Sequence, residues 1–545
     1  MQLSQINLFL IFSCISTMAS LRDLIKAAIK SLLKGPSFFH AFLAFWTSLS
    51  TPSPSNPREA AQPPRKNDPE SIAKFLAEVE SLLLEPTKPD RLRGLSRGLK
   101  HEFREALLSN PACMLPSYHT ELPTGNETGQ YLAVDVGGST LRVALVTLKG
   151  RNPSTGCPES HIVSMDTFDI DNAIRNLKGI AFFDWMADKI NQTVTAQDPK
   201  IGRSPENPLS LALSWSFPIE QPTPSTFLLL PMGKSFHAAD GLIGQNLSSI
   251  LTQSSLPYSL HLSLSVVVND STSTLLSAAY SHPTTTTLAL ILGTGVNISA
   301  HLPLATISTE KHPPSITATN SSSSATHVIV NTELGMFHPL PSPSGLTRWD
   351  LALRHNHPRP DFQPLEHLVS GLYLGEICRW VLLEAIKKVG LFGGVIPPSL
   401  KTHYSLDTKA LSLLQADSSP TLTPSLSLFH TLHPSPIPAT PTDLQFLRSV
   451  ASFVTQRSAS IVAASLHALH EIDVEDSPYH QSPPPEIIKT IAYAGSVVEH
   501  YPNYLSNLQS YLDQLSLNTP THFKLVPAKE SSVLGAAVAL ACLDT

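Results

Sequence analysis

The chain has 545 residues, 42% of them hydrophobic and only 15% charged, with a formal net charge of −6. At about 100–200 residues per domain this is enough for several folded units. The hydrophobic share excludes a wholly disordered polymer, and the acidic balance excludes a global basic field that recruits nucleic acid.

The five cysteines, Cys14, Cys113, Cys157, Cys378 and Cys542, form no CxxC pair. Neither a disulfide framework nor a structural zinc site is expected, which favours a reducing, cytoplasmic compartment. No stretch matches the ~20 apolar residues of a membrane span.

Along the chain, residues 7–16 are apolar but follow no positive charge, a poor fit to a secretory signal. Met18 is an alternative start. In residues 21–34, Leu21, Leu24, Ile25, Ala28 and Leu32 recur at helical spacing and Arg22, Lys26 and Lys30 every four residues. An aromatic stretch, Phe38 to Trp46, follows. This basic amphipathic pattern over residues 21–46 fits a peripheral membrane or mitochondrial surface contact, and equally a helix packed on the main body. Residues 51–67 read as a linker, so residues 1–66 form an N-terminal helical extension and tether.

Ile72, Phe75, Leu76, Val79 and Leu83 share one face of a helix expected over Glu70 to Leu84. Leu92, Leu95, Leu99, Phe103 and Leu107 make a second. Residues 312–326, 416–443 and 478–485 are rich in Pro, Ser and Thr and read as surface loops without an apolar face.

An internal echo is more informative. Leu132 to Ser139 is an apolar strand that turns on Gly137 and Gly138, and Leu288 to Gly295 repeats the shape on Gly293 and Gly295. Second strands follow each, Leu141 to Leu148 and Asn297 to Leu302, so each unit is a hairpin. Exposed backbone N–H groups at such turns can grip phosphate oxygens. Two of them in matching positions suggest a duplicated α/β domain that holds a polyphosphate from both sides. Between them, Val266-Val267-Val268 is a buried strand ending at Asn269-Asp270-Ser271, with a helix expected over Thr272 to Tyr280. A carboxylate there suits a general base; the same position also suits a helix cap.

The motifs, taken together and in order, resemble the hexokinases of the actin-like sugar-kinase superfamily over roughly residues 70–545. They are Asp135-Val136-Gly137-Gly138-Ser139-Thr140-Leu141-Arg142, Ser216-Phe217-Pro218, Gly233-Lys234-Ser235-Phe236, Asn269-Asp270-Ser271, Gly293-Thr294-Gly295-Val296-Asn297 and Asn331-Thr332-Glu333-Leu334-Gly335. Gln363 to Glu366, Ser370 to Glu376 and Gly495-Ser496 with Glu499 to Pro502 complete the set. The resemblance implies two related RNase H-like lobes of the actin-like ATPase fold around a cleft. It assigns residues 67–269 to a small lobe, 270–532 to a large lobe, and packs a terminal helix, 533–542, back on the first. It implies ATP, and Mg²⁺ held mainly through phosphates and water.

By the same resemblance Asp270 is the base for the sugar 6-hydroxyl and Lys234 stabilises charge on the transferring group. Ser216, Phe217, Pro218, Asn269, Asn297, Glu333, Gln363 and Glu366 line the sugar. Asp135 orients Mg²⁺, while Gly137, Gly138, Ser139, Thr140, Arg142 and Thr294 hold phosphates. Gly495, Ser496 and Ser532 face the adenosine. Glucose, another hexose or N-acetylglucosamine is the implied substrate.

The departures are equally specific. Gly233 stands where the family has Thr, Ala494 where it has Asp, Leu334 where it has Trp, and Glu530-Ser531-Ser532-Val533 where it has a glycine-rich segment. This pattern is similar to a divergent fungal branch of N-acetylglucosamine kinases and hexokinase-like regulators. Two readings stand: an active hexose or hexosamine kinase, and a sugar-sensing regulatory protein with little turnover.

Overall fold

The computed structural model describes residues 68–233, 236–313, 325–338, 345–475, 487–517 and 519–543. The amphipathic segment 21–46, Lys234, all of 478–485 and most of 312–326 lie outside these residues. Among the described residues no helix is long and apolar enough to cross a membrane.

The described chain opens with α1 (Pro69–Leu83), whose N-cap Asp68 accepts the Ser71 N–H at 3.2 Å. α2 (Pro89–Ser109) follows, also with proline in its first turn. Both bury the apolar faces expected of them: Phe75, Val79 and Leu83, then Leu92, Leu95, Leu99, Phe103 and Leu107. After the short β1 (Leu115–Pro116) the first sheet begins with β2 (Thr128–Val136), β3 (Thr140–Arg151) and β4 (Pro158–Asp169). Next come α3 (Asn172–Arg175), α4 (Ile180–Gln197), β5 (Leu209–Trp215), the β6–β7 ribbon (Ile219–Thr223, Thr226–Leu229), α5 (Leu247–Ser255) and β8 (Leu262–Val268).

The second half starts with α6 (Asp270–Ser281), then β9 (Thr286–Leu292), β10 (Val296–Pro303) and β11 (His327–Asn331). A helical block covers α7 (Arg348–Asn356), α8 (Glu366–Val369), α9 (Gly371–Val389), α10 (Thr408–Ala416), α11 (Thr423–Leu432) and α12 (Pro441–Glu475). The chain then closes with β12 (Ile487–Ala494), α13 (Ser496–His500), α14 (Tyr504–Leu515), β13 (Thr521–Pro527) and α15 (Ser531–Ala541).

The two sheets share one topology. The first runs β4-β3-β2-β5-β8, and the second runs β11-β10-β9-β12-β13 with β1 added outside β11. In each, the first three strands in sequence pair antiparallel and the other two join parallel to the central strand. The central strand is covered on both faces, as parallel pairing requires: Tyr131 to Val136 are all buried. The echo between the two glycine turns is therefore an echo of whole lobes.

Each lobe also lends a helix to the other. α6 leaves the first sheet and packs on β9 and β10, whereas α15 leaves the second sheet and packs on β2 and β5. The two helices meet where Gly535 faces Ser273: a Cβ at Gly535 would lie 1.8 Å from the Ser273 carbonyl oxygen.

Two sequence expectations are corrected. Residues 69–116 do not belong with the first lobe: α1 and α2 pack on α12 in the core of the second, and β1 pairs with β11. Their apolar faces match that core, a long-range choice that local periodicity does not encode. Residues 416–443 are not a plain loop, because α11 lies within them and buries Phe429 against Phe392 at 5.3 Å between ring centroids. Abundant Ser, Thr and Pro hide this helix, whose inward face is Ser425, Leu426 and Phe429 behind the buried cap residue Leu422.

Gly535→Ala tests the helix exchange. Alanine in a helix interior normally stabilises by about 1 kcal/mol relative to glycine. Here the added methyl overpacks the α6–α15 contact, so a loss of about 1–3 kcal/mol is expected in urea denaturation. An unchanged or raised midpoint contradicts the contact.

Candidate active site

β8 delivers the segment Asn269-Asp270 to the start of α6. Asn269 is the cap: its backbone is extended, and its side chain accepts the Ser271 N–H at 3.0 Å. Asp270 is the first helical residue. One carboxylate oxygen accepts the Ser271 N–H at 2.7 Å and the other accepts the Ser216 hydroxyl at 3.0 Å. Of the two sequence readings of Asp270, capping thus falls mainly to Asn269.

From Asn269 a row of polar groups crosses into the second lobe. The Asn297 amide donates to Asn269 at 3.3 Å and to Asn331 at 2.8 Å, and the Asn331 amide donates to Glu333 at 2.9 Å. Glu333 has φ +50°, a left-handed backbone unusual for a side-chain-bearing residue, and Gln363 has φ +56°. Such strain is held by its surroundings. For Glu333 these are the Asn331 side chain, which accepts its N–H at 3.3 Å, and the Leu334 N–H, which donates to Asn297 at 3.3 Å. Glu366 accepts the Val296 N–H at 3.0 Å, beside Gly295, and packs against Gly335 with Gln363.

The structure therefore brings Ser216, Asn269, Asp270, Asn297, Glu333, Gln363 and Glu366 into one connected set. Asn331 was not among the predicted site residues, yet it links Asn297 to Glu333; its place beside Glu333 in the Asn-Thr-Glu run is the signal. Phe217 sits differently. It is buried between Trp215 and Phe236, at 5.2 and 4.8 Å, and anchors the Ser216 segment from inside the first lobe. Pro218 is exposed at the start of the β6–β7 ribbon. Leu334, where the family has Trp, is fully buried in the second core.

The first glycine turn closes with the Gly137 N–H donating to the Thr140 carbonyl at 3.0 Å. Asp135, at the end of β2, is 5% exposed. Burial pushes its carboxyl up to about 6 and the charge of Asp270 adds to this, whereas Arg142 and the neighbouring Ser214 and Ser532 hydroxyls oppose it. The Arg142 guanidinium lies 3.8 Å from Asp135 and 3.7 Å from Glu530. Glu530 has φ +48°. The segment that departs from the family's glycine-rich pattern thus adds a carboxylate beside the first glycine turn, and Ser532 sits within it.

The second turn closes with the Gly293 N–H on the Gly295 carbonyl at 3.0 Å, and the Leu372 N–H donates to the Thr294 carbonyl at 3.2 Å. Gly495, at φ +119°, is packed so tightly that a Cβ would lie 2.5 Å from the Leu292 carbonyl. Ser496 follows it against Gly293, and Glu499 accepts the Gly495 N–H at 2.7 Å. No hydrogen bond joins residues 137–140 to residues 293–295 among the described residues; each turn occupies the equivalent corner of its own sheet.

Asp135 beside a backbone turn and an arginine fits a Mg²⁺ ion that keeps most of its water and is carried by phosphates. Among the described residues no cluster of three or more His, Cys, Asp or Glu side chains offers an all-protein cage.

Comparison with known proteins agrees with this geometry. Two Hexokinase family models match in tandem, over residues 82–280 and 287–542. Hexokinase-5 of Oryza sativa subsp. japonica is 29% identical over 476 residues, covering 86% of this chain and 89% of that protein. Hexokinase-1 of Schizosaccharomyces pombe is 26% identical over 475 residues, covering 86% and 90%. In fold, the chain matches the hexokinase from Schistosoma mansoni complexed with glucose, with a TM-score of 0.70, 24% identity and coverage of 86% of this chain and 99% of that one. Two sheets of one topology, the polar row between them and the tandem family match together show that the chain belongs to the hexokinase family, the sugar phosphotransferases.

Proposed function

We propose that this protein is an ATP-dependent hexose or hexosamine kinase that transfers the γ-phosphoryl group to the sugar 6-hydroxyl, with Asp270 as general base. The observation that carries this is the position of the Asp270 carboxylate: bonded to Ser216 on one side and next in chain to Asn269, which opens the row Asn297, Asn331, Glu333. A hexose ring presents hydroxyls at several angles, and this row offers acceptors and amides at several angles. Asp270 accepts the proton of the attacking hydroxyl, which raises its nucleophilicity as transfer proceeds. Lys234 stabilises the charge on the transferring group; it lies outside the described residues, in the segment bounded by Gly233 and Phe236. Around the turn that Gly137 closes on Thr140, Gly138, Ser139 and Thr140, with Thr294 of the second turn, face the phosphates, with Arg142 beside them. Mg²⁺, when bound, neutralises phosphate charge, and Asp135 is the residue that orients it.

A second reading is favoured by one observation. Glu530 shares Arg142 with Asp135, so a carboxylate competes with the nucleotide for its cation. A sugar-sensing regulator with weak turnover fits that arrangement. In either case residues 21–46 are the segment proposed to make a peripheral membrane or mitochondrial contact.

Three measurements separate these readings. Asp270→Ala is expected to lower kcat by about 10²–10⁴, the range for a lost general base, with a smaller change in sugar affinity; unchanged turnover refutes the role. Glu530→Gln is expected to lower the KM for ATP about two- to fivefold, because the half-exposed pair with Arg142 is worth at most about 1 kcal/mol. An unchanged KM shows that the carboxylate does not compete.

Gly233 gives the third test. A Cβ there meets nothing within 4 Å among the described residues, so the position leaves open space where a side chain would begin. The missing hydroxyl weakens plain hexoses about three- to tenfold, the worth of one net hydrogen bond. The vacated space suits a bulkier sugar such as N-acetylglucosamine. Gly233→Thr is therefore expected to raise kcat/KM for glucose and leave N-acetylglucosamine flat or lower. If both sugars are inert in both proteins while glucose still binds, the sensor reading replaces the kinase.

A further inference from the structure

Arg175 closes α3, a single turn whose N-cap Asp171 accepts the Ile174 N–H at 2.9 Å. From there its guanidinium reaches the first phosphate turn and donates through Nη2 to the Gly138 carbonyl at 3.0 Å. Nη1 reaches the Asn172 side-chain oxygen at 3.4 Å, and Nε is buried without a hydrogen-bond partner. Among the described residues Arg175 forms no ion pair, in contrast to Arg142, which lies near both Asp135 and Glu530. The positive charge at this turn that is not already countered by a carboxylate is thus that of Arg175.

The backbone of the same segment is tied in two directions. Toward the turn, the Ile170 N–H donates to the Ser139 carbonyl at 2.8 Å. Toward the sugar segment, the Arg175 carbonyl accepts the His237 N–H at 3.1 Å, and the His237 carbonyl accepts the Gly179 N–H at 3.2 Å. His237 is three residues beyond Lys234. Residues 170–179 therefore bridge the first glycine turn and the backbone at His237, and the Arg175 side chain is the bridge's contact with Gly138.

We infer that Arg175 is a positioning residue that locks the first phosphate turn to the backbone at His237, so that sugar binding on that side steadies the turn. The inference rests on the kinase reading for its reaction. Its mechanical part needs only that the turn and the backbone at His237 share this tie. A hydrogen bond from a charged donor to a backbone carbonyl fixes the turn's peptide planes, and with them the N–H groups aimed at phosphate.

The test uses the full chain, wild type against Arg175→Ala and Arg175→Lys, read by amide hydrogen exchange and kinetics. Without ligand, exchange of the Gly137 amide and its neighbours through Thr140 is expected to rise in Arg175→Ala, with the unfolding midpoint unchanged. Added glucose, followed through Trp215 fluorescence, is expected to slow exchange at 137–140 in wild type and not in Arg175→Ala. Glucose affinity should stay within about threefold. The KM for ATP should rise about tenfold, the order of one charged hydrogen bond. Arg175→Lys, which keeps a cationic donor, should recover part of both effects. Unchanged exchange at the turn in ligand-free Arg175→Ala overturns the inference. So does a parallel rise of both KM values with a lowered midpoint, which marks general destabilisation. Absent turnover in wild type refutes the kinase reading alone, because the ligand-free exchange comparison still decides the role of Arg175.

Discussion

The close approach of α6 and α15 governs much else in this molecule. Gly535 meets the Ser273 carbonyl at a distance no side chain permits, so the two helices cross at nearly backbone contact. Each originates in one lobe and packs on the sheet of the other. Asp270 begins α6, and Ser532 stands in the first turn of α15. The proposed base and the segment beside the phosphate turn are therefore carried by the two helices that join the lobes, and a change in their crossing moves both.

Around that joint the polar side chains support one another across element boundaries. Asn297 is the hub, donating toward Asn269 and Asn331 while its own oxygen accepts the Leu334 N–H. This chain holds Glu333 in a left-handed conformation. A residue held there by several partners costs stability locally and is preorganised for a ligand in return. Asp135 follows the same logic on the nucleotide side: burial raises its proton affinity, and Arg142 and nearby hydroxyls return it toward the charged form.

The nucleotide side shows where this chain departs from its family. Glu530, in the segment that departs, directs a carboxylate at Arg142, whereas Glu499, in a segment that matches, accepts the Gly495 N–H. In the proposed nucleotide site the Glu530 carboxylate opposes a polyphosphate, and Arg175 adds positive charge at the Gly138 carbonyl of the first turn.

What the sequence alone determined is local. The amphipathic faces of α1 and α2, the glycine hairpins of β2–β3 and β9–β10, and the strand leading to Asn269 and Asp270 are all set by periodicity and turn chemistry within a few residues. The ordered motifs carried the family and most of the polar row, since identity and order along the chain suffice for that. Tertiary structure alone decided which lobe receives α1 and α2, that α6 and α15 change partners, and that Phe429 buries a helix within a Ser- and Pro-rich stretch. It alone brought Glu530 to Arg142 and Arg175 to Gly138. Those contacts join residues far apart in the chain through packing and charge, and no local pattern of residues records which distant surface a side chain will meet.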